Sequence, residues 1–321
     1  MSHAPALPAR IVGAIVSLML LSVPAHADDL GRIVNRYLSW RGGAAFESLA
    51  SFHEKGVLKA GGLQGHDELW AERGGRSWMD TNLGPLKQTQ TVDGTSSWDI
   101  SPSGQLETLS LADYRSDFRS AALQFSDVVR GRGGAKVALA GVETRDGRTW
   151  AVVRIGFGDG DVYDAFIDPS TGELDGFRIR EDRQTRFERY GDWRLVQGVR
   201  MPFVHTTDDG TREVLTAVEL NRPLPPQLLK RPALPRKAMF RDGSTSTGWI
   251  GFELFGGNRI FFPVKVDGRT TVAMLDSGAT VSSVDKTWAK SIGLVSQGGF
   301  TGAGTGGVDS FGFVRGVDVG R

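Results

Sequence analysis

The 321-residue chain contains no cysteine. Disulfides, thiol catalysis and lipid attachment through cysteine are therefore excluded. Histidine is almost as scarce: beyond the first residues only His53, His66 and His205 occur, no two of them neighbours, which makes a zinc site improbable. A formal charge of +1 supplies no general attraction to nucleic acid or to an anionic membrane. Long hydrophobic runs are missing too. The longest apolar stretch, Ile11 to Val23, is short for a spanning helix. Motifs are absent as well: no Gly-x-Ser-x-Gly, no His-Glu-x-x-His and no P-loop occur. With 40% hydrophobic residues and mixed charge, the chain is globular and long enough for about two domains.

What is present begins with a leader. Arg10 precedes the apolar run, and Ala25-His26-Ala27 has the small-x-small form of a signal-peptidase site. The expectation is a signal peptide over residues 1–27, cleaved after Ala27, and a mature chain in a bacterial periplasm. Membrane contact is expected only through an uncleaved leader.

Next, Leu30, Ile33, Val34, Tyr37 and Leu38 recur at helical spacing between Asp28-Asp29 and Gly42-Gly43. From Ser51 onward the pattern changes to short alternating runs separated by Gly61-Gly62, Gly74-Gly75, Gly84-Pro85 and Asp93-Gly94. Tyr114, Phe118, Ala122, Phe125 and Val129 predict one second helix, ended by the glycines from Gly131 to Gly134. Strand-and-turn spacing then resumes to Phe203. This predicts a mainly β, α+β domain over residues 28–232: one antiparallel half-barrel sheet curled over helices.

Three features have competing readings. Asp159, Asp161 and Asp164 crowd a glycine-containing loop, but without EF-hand spacing a hairpin turn is favoured over calcium. The charge between Arg178 and Arg194 mixes signs and alternates with Phe177, Ile179 and Phe187, the mark of a wet strand face. Trp70, Trp78, Trp98, Trp150 and Trp193 either line a lipid-sized cavity or pack in the core, and packing is the default. Prolines 223, 225, 226, 232 and 235 mark the approach to a linker, set at 233–247.

The third part, 248–321, carries the chemistry. Apolar strands lead through the hairpin signal Asp267-Gly268 into Val272-Ala273-Met274-Leu275-Asp276-Ser277-Gly278-Ala279-Thr280. An aspartate at the end of an apolar strand is costly to bury as an ion without compensating hydrogen bonds or charge. Asp285 or Ser283 caps a short helix closed by Gly293. Gly302, Gly304 and Gly307 fit G-x-G-x-x-G, yet the segment from Val308 to Val319 is β-prone, so the dinucleotide reading fails on context.

On Met274 to Thr280 and the downstream Ala289-x-x-Ile292-Gly293-Leu294, this part resembles the retropepsin-like aspartic proteases. The resemblance implies Asp276 as the catalytic carboxylate, with Ser277, Gly278, Ala279 and Thr280 supporting its loop. It also implies Gly302, Gly304, Gly306 and Gly307 as a flap over a peptide substrate, with no metal and no other cofactor. Two carboxylates about 3 Å apart share one proton and so supply acid and base together. Only one such motif is present, so the resemblance implies a homodimer that pairs two Asp276 residues. The family's later hydrophobic–hydrophobic–Gly segment finds no counterpart after Val308, and the domain is expected to be truncated. Residues 28–232, by their leader, element order and the Ile167-Asp168-Pro169-Ser170-Thr171-Gly172 turn, resemble periplasmic lipoprotein carriers. An exported aspartic endopeptidase is the leading expectation. The alternative is a non-enzymatic lipid or lipoprotein carrier with a degenerate protease-like appendage.

Overall fold

The computed structural model describes residues 27–102, 104–181, 184–233, 243–244, 246, 248–276, 282–304, 307–314 and 319–320. Residues 1–26 of the expected leader lie outside them, and its last residue, Ala27, opens the first helix. Helix α1 (Ala27–Arg41) and the single turn α2 (Ala44–Glu47) precede six strands: β1 (Ser51–Ala60), β2 (Leu63–Glu72), β3 (Ser77–Asn82), β4 (Lys87–Val92), β5 (Ser97–Ile100) and β6 (Leu106–Thr108). Helices α3 (Leu111–Leu123) and α4 (Ser126–Val129) come next. Seven more strands complete the sheet: β7 (Lys136–Arg145), β8 (Arg148–Gly156), β9 (Val162–Ile167), β10 (Leu174–Glu181), β11 (Gln184–Val196), β12 (Val199–Thr207) and β13 (Arg212–Leu220).

All thirteen lie in one antiparallel sheet made of two meanders, β1 to β6 and β7 to β13. The meanders are joined where β1 pairs with β13. Local chemistry explains the turns. Asp146, Gln197 and Gly61 take positive φ at hairpin ends, as short hairpins require. Side chains alternate between two faces. On the inner face Phe52, Ile155, Tyr163, Phe177 and Met201 pack against Val34, Tyr37 and Leu38 of α1, Phe46 of α2, and the α3–α4 region, in one buried cluster.

The second helix departs from expectation. Phe125 sits between α3 and α4 in extended conformation, φ −110° and ψ 162°, and splits the predicted element. Its ring lies 5.5 Å from that of Phe52 and beneath the Arg73 guanidinium. Tertiary burial of one aromatic outweighs the continuation of the helix.

The tryptophans do not line a common cavity. Register places His53, Trp70, Trp78, Thr91 and Trp98 side by side on the outer face. A 3-10 turn at Pro226–Leu229 packs against β3 and β4. Trp150 belongs to a separate outer cluster with Val152, Phe166 and Phe187, and Trp193 packs on Trp40, ring centroids 4.8 Å apart. Packing is the reading that holds.

The aspartates of the 159–164 loop are also accounted for. Asp159 and Asp161 pair with Arg119. Asp164 turns to the outer face of β9, where Arg154, Arg178 and Arg180 donate to it.

Further along the chain, β14 (Glu253–Phe255), β15 (Arg259–Val266) and β16 (Arg269–Leu275) form a small antiparallel sheet. Helix α5 (Lys286–Ser291) is next, then the hairpin of β17 (Gln297–Gly304) and β18 (Gly307–Phe313). Strand β19 (Val319–Gly320) returns to pair with β15.

Candidate functional site

The β15–β16 hairpin forms as its Asp267-Gly268 signal requires: both residues take positive φ, and Val266 pairs with Arg269 across the turn. It delivers Asp276 to the position immediately after β16, exposed to solvent. Ser277, Gly278, Ala279 and Thr280 lie outside the described residues. The Asp285 carboxylate accepts from Trp288 N at 2.8 Å and caps α5, and Gly293 closes it at φ +86°. Gly302 and Gly304 lie on β17, Gly307 opens β18, and Gly306 is outside the described residues. Asp285→Ala is expected to cost about 1 kcal/mol, the usual worth of an N-cap, and to fray α5. Amide exchange of Lys286 to Ser291 measures it.

Apolar side chains line both faces of this small sheet. Leu254, Ile260 and Leu275 lie in register on one, Phe255, Phe261 and Met274 on the other. Leu254, Leu275, Phe255 and Met274 are all exposed. A strand that is apolar on both sides is the pattern of a sheet covered on both sides. The Asp-Ser-Gly motif occurs once in this part of the chain, and a proton-sharing pair needs two such carboxylates.

Besides the Asp164 cluster, two polar groupings of the half-barrel bear on a site. On the outer face His53 stacks on Trp70 at 3.7 Å, its ring nitrogens 2.7 Å from Glu68 Oε1 and 2.8 Å from Glu219 Oε2. Burial works against the charge of Glu68. The hydrogen bonds from His53 and Trp70, with the nearby Lys55, outweigh it and hold the carboxyl below its ordinary range. Beside this group a half-open pocket of about 280 Å³ is lined by Lys55, His66, Glu68, Asp80, Asn82 and Thr216. It is polar, unlike the apolar clefts that take most small organic ligands.

On the inner face Glu54, Asp67, Glu213 and His205 converge around Gly56. His205 Nδ1 lies 2.8 Å from Glu213 Oε2. Sequence reading missed this grouping. Its members sit on four strands, and only the register brings them together.

An aspartyl protease family model matches residues 262–317. No characterised protein matches the chain by sequence. Among solved structures, a DUF1329 family protein from Desulfovibrio piger aligns at TM-score 0.44 and 9% identity, over 63% of this chain and 97% of that one. A LolA superfamily protein from Nitrosomonas europaea aligns at 0.42 and 15%, over 64% and 96%. An outer membrane lipoprotein-sorting protein domain from Vibrio parahaemolyticus aligns at 0.42 and 10%, over 63% and 100%. The fold is mainly β with one large antiparallel sheet, and the C-terminal part is similar to aspartyl proteases over a short stretch. Among the described residues no helix is long and apolar enough to cross a membrane.

Proposed function

We propose that the chain is an exported binding protein whose half-barrel carries an apolar, lipid-like ligand between its sheet and its helical cover. The observation that carries this reading is the inner face itself. A broad apolar surface of the sheet is closed by α1 and by helical pieces as short as four residues, α2 and α4. Sheet and helix side chains pack on each other, so a ligand takes their place by displacing the cover. Short helices held by apolar contact are suited to this, because so few turns have little stability of their own. The leader at residues 1–27 fits a periplasmic carrier. Titrating the full chain with a fluorescent fatty acid is expected to give saturable binding at about micromolar concentration, the range of a modest apolar site. Absence of saturable binding contradicts the proposal.

A second reading rests on a different observation, the placement of Asp276 after an apolar hairpin in the stretch that the aspartyl protease model matches. In it the C-terminal part is a retropepsin-type endopeptidase. A second copy covers the bare sheet and brings its own Asp276, and β17–β18 closes over peptide. Pepstatin-sensitive cleavage of a peptide library at acid pH, lost in Asp276→Asn, would establish it. Unchanged cleavage in that variant would remove it.

A further inference from the structure

The polar cluster on the inner face is centred on a glycine. Gly56 lies opposite Asp67 of β2 and Leu215 of β13, beside a bulge at Lys55/Gly56. A Cβ at Gly56 would stand 2.8 Å from Glu213 Oε1 and 2.9 Å from Asp67 Oδ1. The missing side chain is what lets these two carboxyl groups meet. His205 lies directly across from Glu213 on β12, and Glu54, 4% exposed, completes the group from β1. From β11 the Tyr190 ring lies 5.0 Å from that of His205, and its hydroxyl donates to Glu188 at 3.1 Å. Among the described residues Arg41 of α1 is the further cation acting on Glu54, and it already bonds Arg200 O and Tyr37 Oη. Three carboxyl groups, Glu54, Asp67 and Glu213, thus gather around His205, with Glu188 beyond them already paired to Arg186 at 3.1 Å. Asp67 Oδ1 and His205 Nε2 are buried without a hydrogen-bond partner.

We infer that this cluster is a proton-operated latch on the half-barrel: it clamps β1, β2, β12 and β13 together while Glu54 and Asp67 keep their protons beside an ionised Glu213, and loosens that end of the sheet when they lose them.

The physical chemistry agrees in sign. Burial, with the charge of Glu213, pushes Glu54 up to about 7. Burial, then the hydrogen bond to Glu213 and the charges of Glu213 and Glu54, push Asp67 up to about 8. Burial opposes the charge of His205, but the hydrogen bond and charge of Glu213 raise it overall. Glu213 itself is held low, against burial, by His205 and by Asp67. In the protonated state Asp67 donates to Glu213, and Glu213 also accepts from the imidazolium. Each raised group binds its proton more tightly in the folded chain than in the unfolded one. The stability it contributes is full below its unfolded value and is lost as pH rises through its folded value. For Glu54 and Asp67 that window runs from about 4 to about 8. Carboxylates held low elsewhere, such as Asp164 and Asp168, act below this window and do not mask it.

Amide exchange on the full chain, corrected for the intrinsic pH effect, tests the latch at about pH 6 and about pH 8.5. Protection of residues 52–58, 64–69 and 212–216 is expected to fall about tenfold at the higher pH, while β8 to β10 hold theirs. Asp67→Asn, which keeps a donor toward Glu213 without a titrating proton, is expected to show a clearly smaller fall, because Glu54 still titrates. Equal wild-type protection at the two pH values, or an unaltered pH response in Asp67→Asn, overturns the inference. The infrared spectrum of the wild type is an independent check. A protonated-carboxyl band present near pH 6 and gone near pH 8.5 supports the latch, and its absence at pH 6 overturns it.

Discussion

Gly172→Val is expected to pull α1 away from the sheet and lower the stability of the half-barrel by about 2–4 kcal/mol, the range of severe single substitutions. The turn between β9 and β10 is built for contact with α1. The Asp168 carboxylate accepts from Ser170 N at 2.8 Å, Ser170 Oγ at 2.6 Å and Thr171 N at 3.0 Å. These bonds outweigh its partial burial and hold Asp168 well below the ordinary carboxylate range. The turn ends on Gly172 at φ +83°, where an added Cβ would lie 2.5 Å from Arg36 O and 2.9 Å from Tyr37 N. Those are backbone atoms of a helix and cannot swing aside. Valine also resists positive φ. The Arg36 side chain donates to Pro169 O at the same junction. Displacing α1 uncovers Tyr37 and Leu38, both buried in the core, so the variant is expected to bind more hydrophobic dye as it loses stability. A urea melt measures the first effect and dye fluorescence the second. A loss below about 0.5 kcal/mol, the level of an ordinary surface exchange, would mean that this turn does not hold the helix.

The second large effect is at Asp164. Its carboxylate is fully buried and receives Arg154 Nε at 2.8 Å, Arg178 at 2.8 Å and Arg180 at 2.9 Å. Arg178 is shared with Glu143. Burial opposes the charge of Asp164, and the hydrogen bonds from Arg154 and Arg178 overcome it and hold the group low. Asp164→Ala leaves three guanidinium groups facing one another across β8 and β10. Breaking a buried pair by removing one partner costs about 3–5 kcal/mol. The arginines are 45%, 26% and 34% exposed. Water therefore takes up part of their charge, and about 2–3 kcal/mol is the expected loss after that discount. Because Asp164 is held low, the wild-type contribution is present above the unfolded carboxylate value and disappears as pH falls below it. Thermal melts of wild type and variant should therefore converge toward strongly acid pH. Melts that differ by the same amount at every pH would contradict the assignment.

Much of this fold is legible in residue patterns. Asp146-Gly147 and Asp267-Gly268 specify hairpins because only certain residues take positive φ cheaply, and both hairpins form. The periodicity from Leu30 to Leu38 locates α1. Phe125 shows where such reading stops: its periodicity is helical, but a buried contact with Phe52, far away in sequence, decides its conformation. The tryptophans pack, as the default reading has it, but their pattern does not say on which face: Trp70 and Trp98 lie on the outer face, and Trp193 packs against the inner core. Asp276 and its hairpin are readable because a strand, a turn and a capped helix are all local. The cluster at Gly56 is not. Glu54, Asp67 and Glu213 each look like ordinary polar positions on a strand, and only the β1–β13 junction and its bulge turn them toward one another. Gly172 reads as turn chemistry, and its second role, close approach of a helix, arises only when α1 packs against the turn.

Native mass spectrometry of the full chain, purified without detergent from cells with intact membranes, bears most directly on the proposed function. The account predicts a population heavier than the bare polypeptide by the mass of one lipid per chain, released when the helical cover is loosened by Gly172→Val. A bare polypeptide in every preparation, together with acid proteolysis that Asp276→Asn abolishes, would contradict it and place the function in the C-terminal sheet.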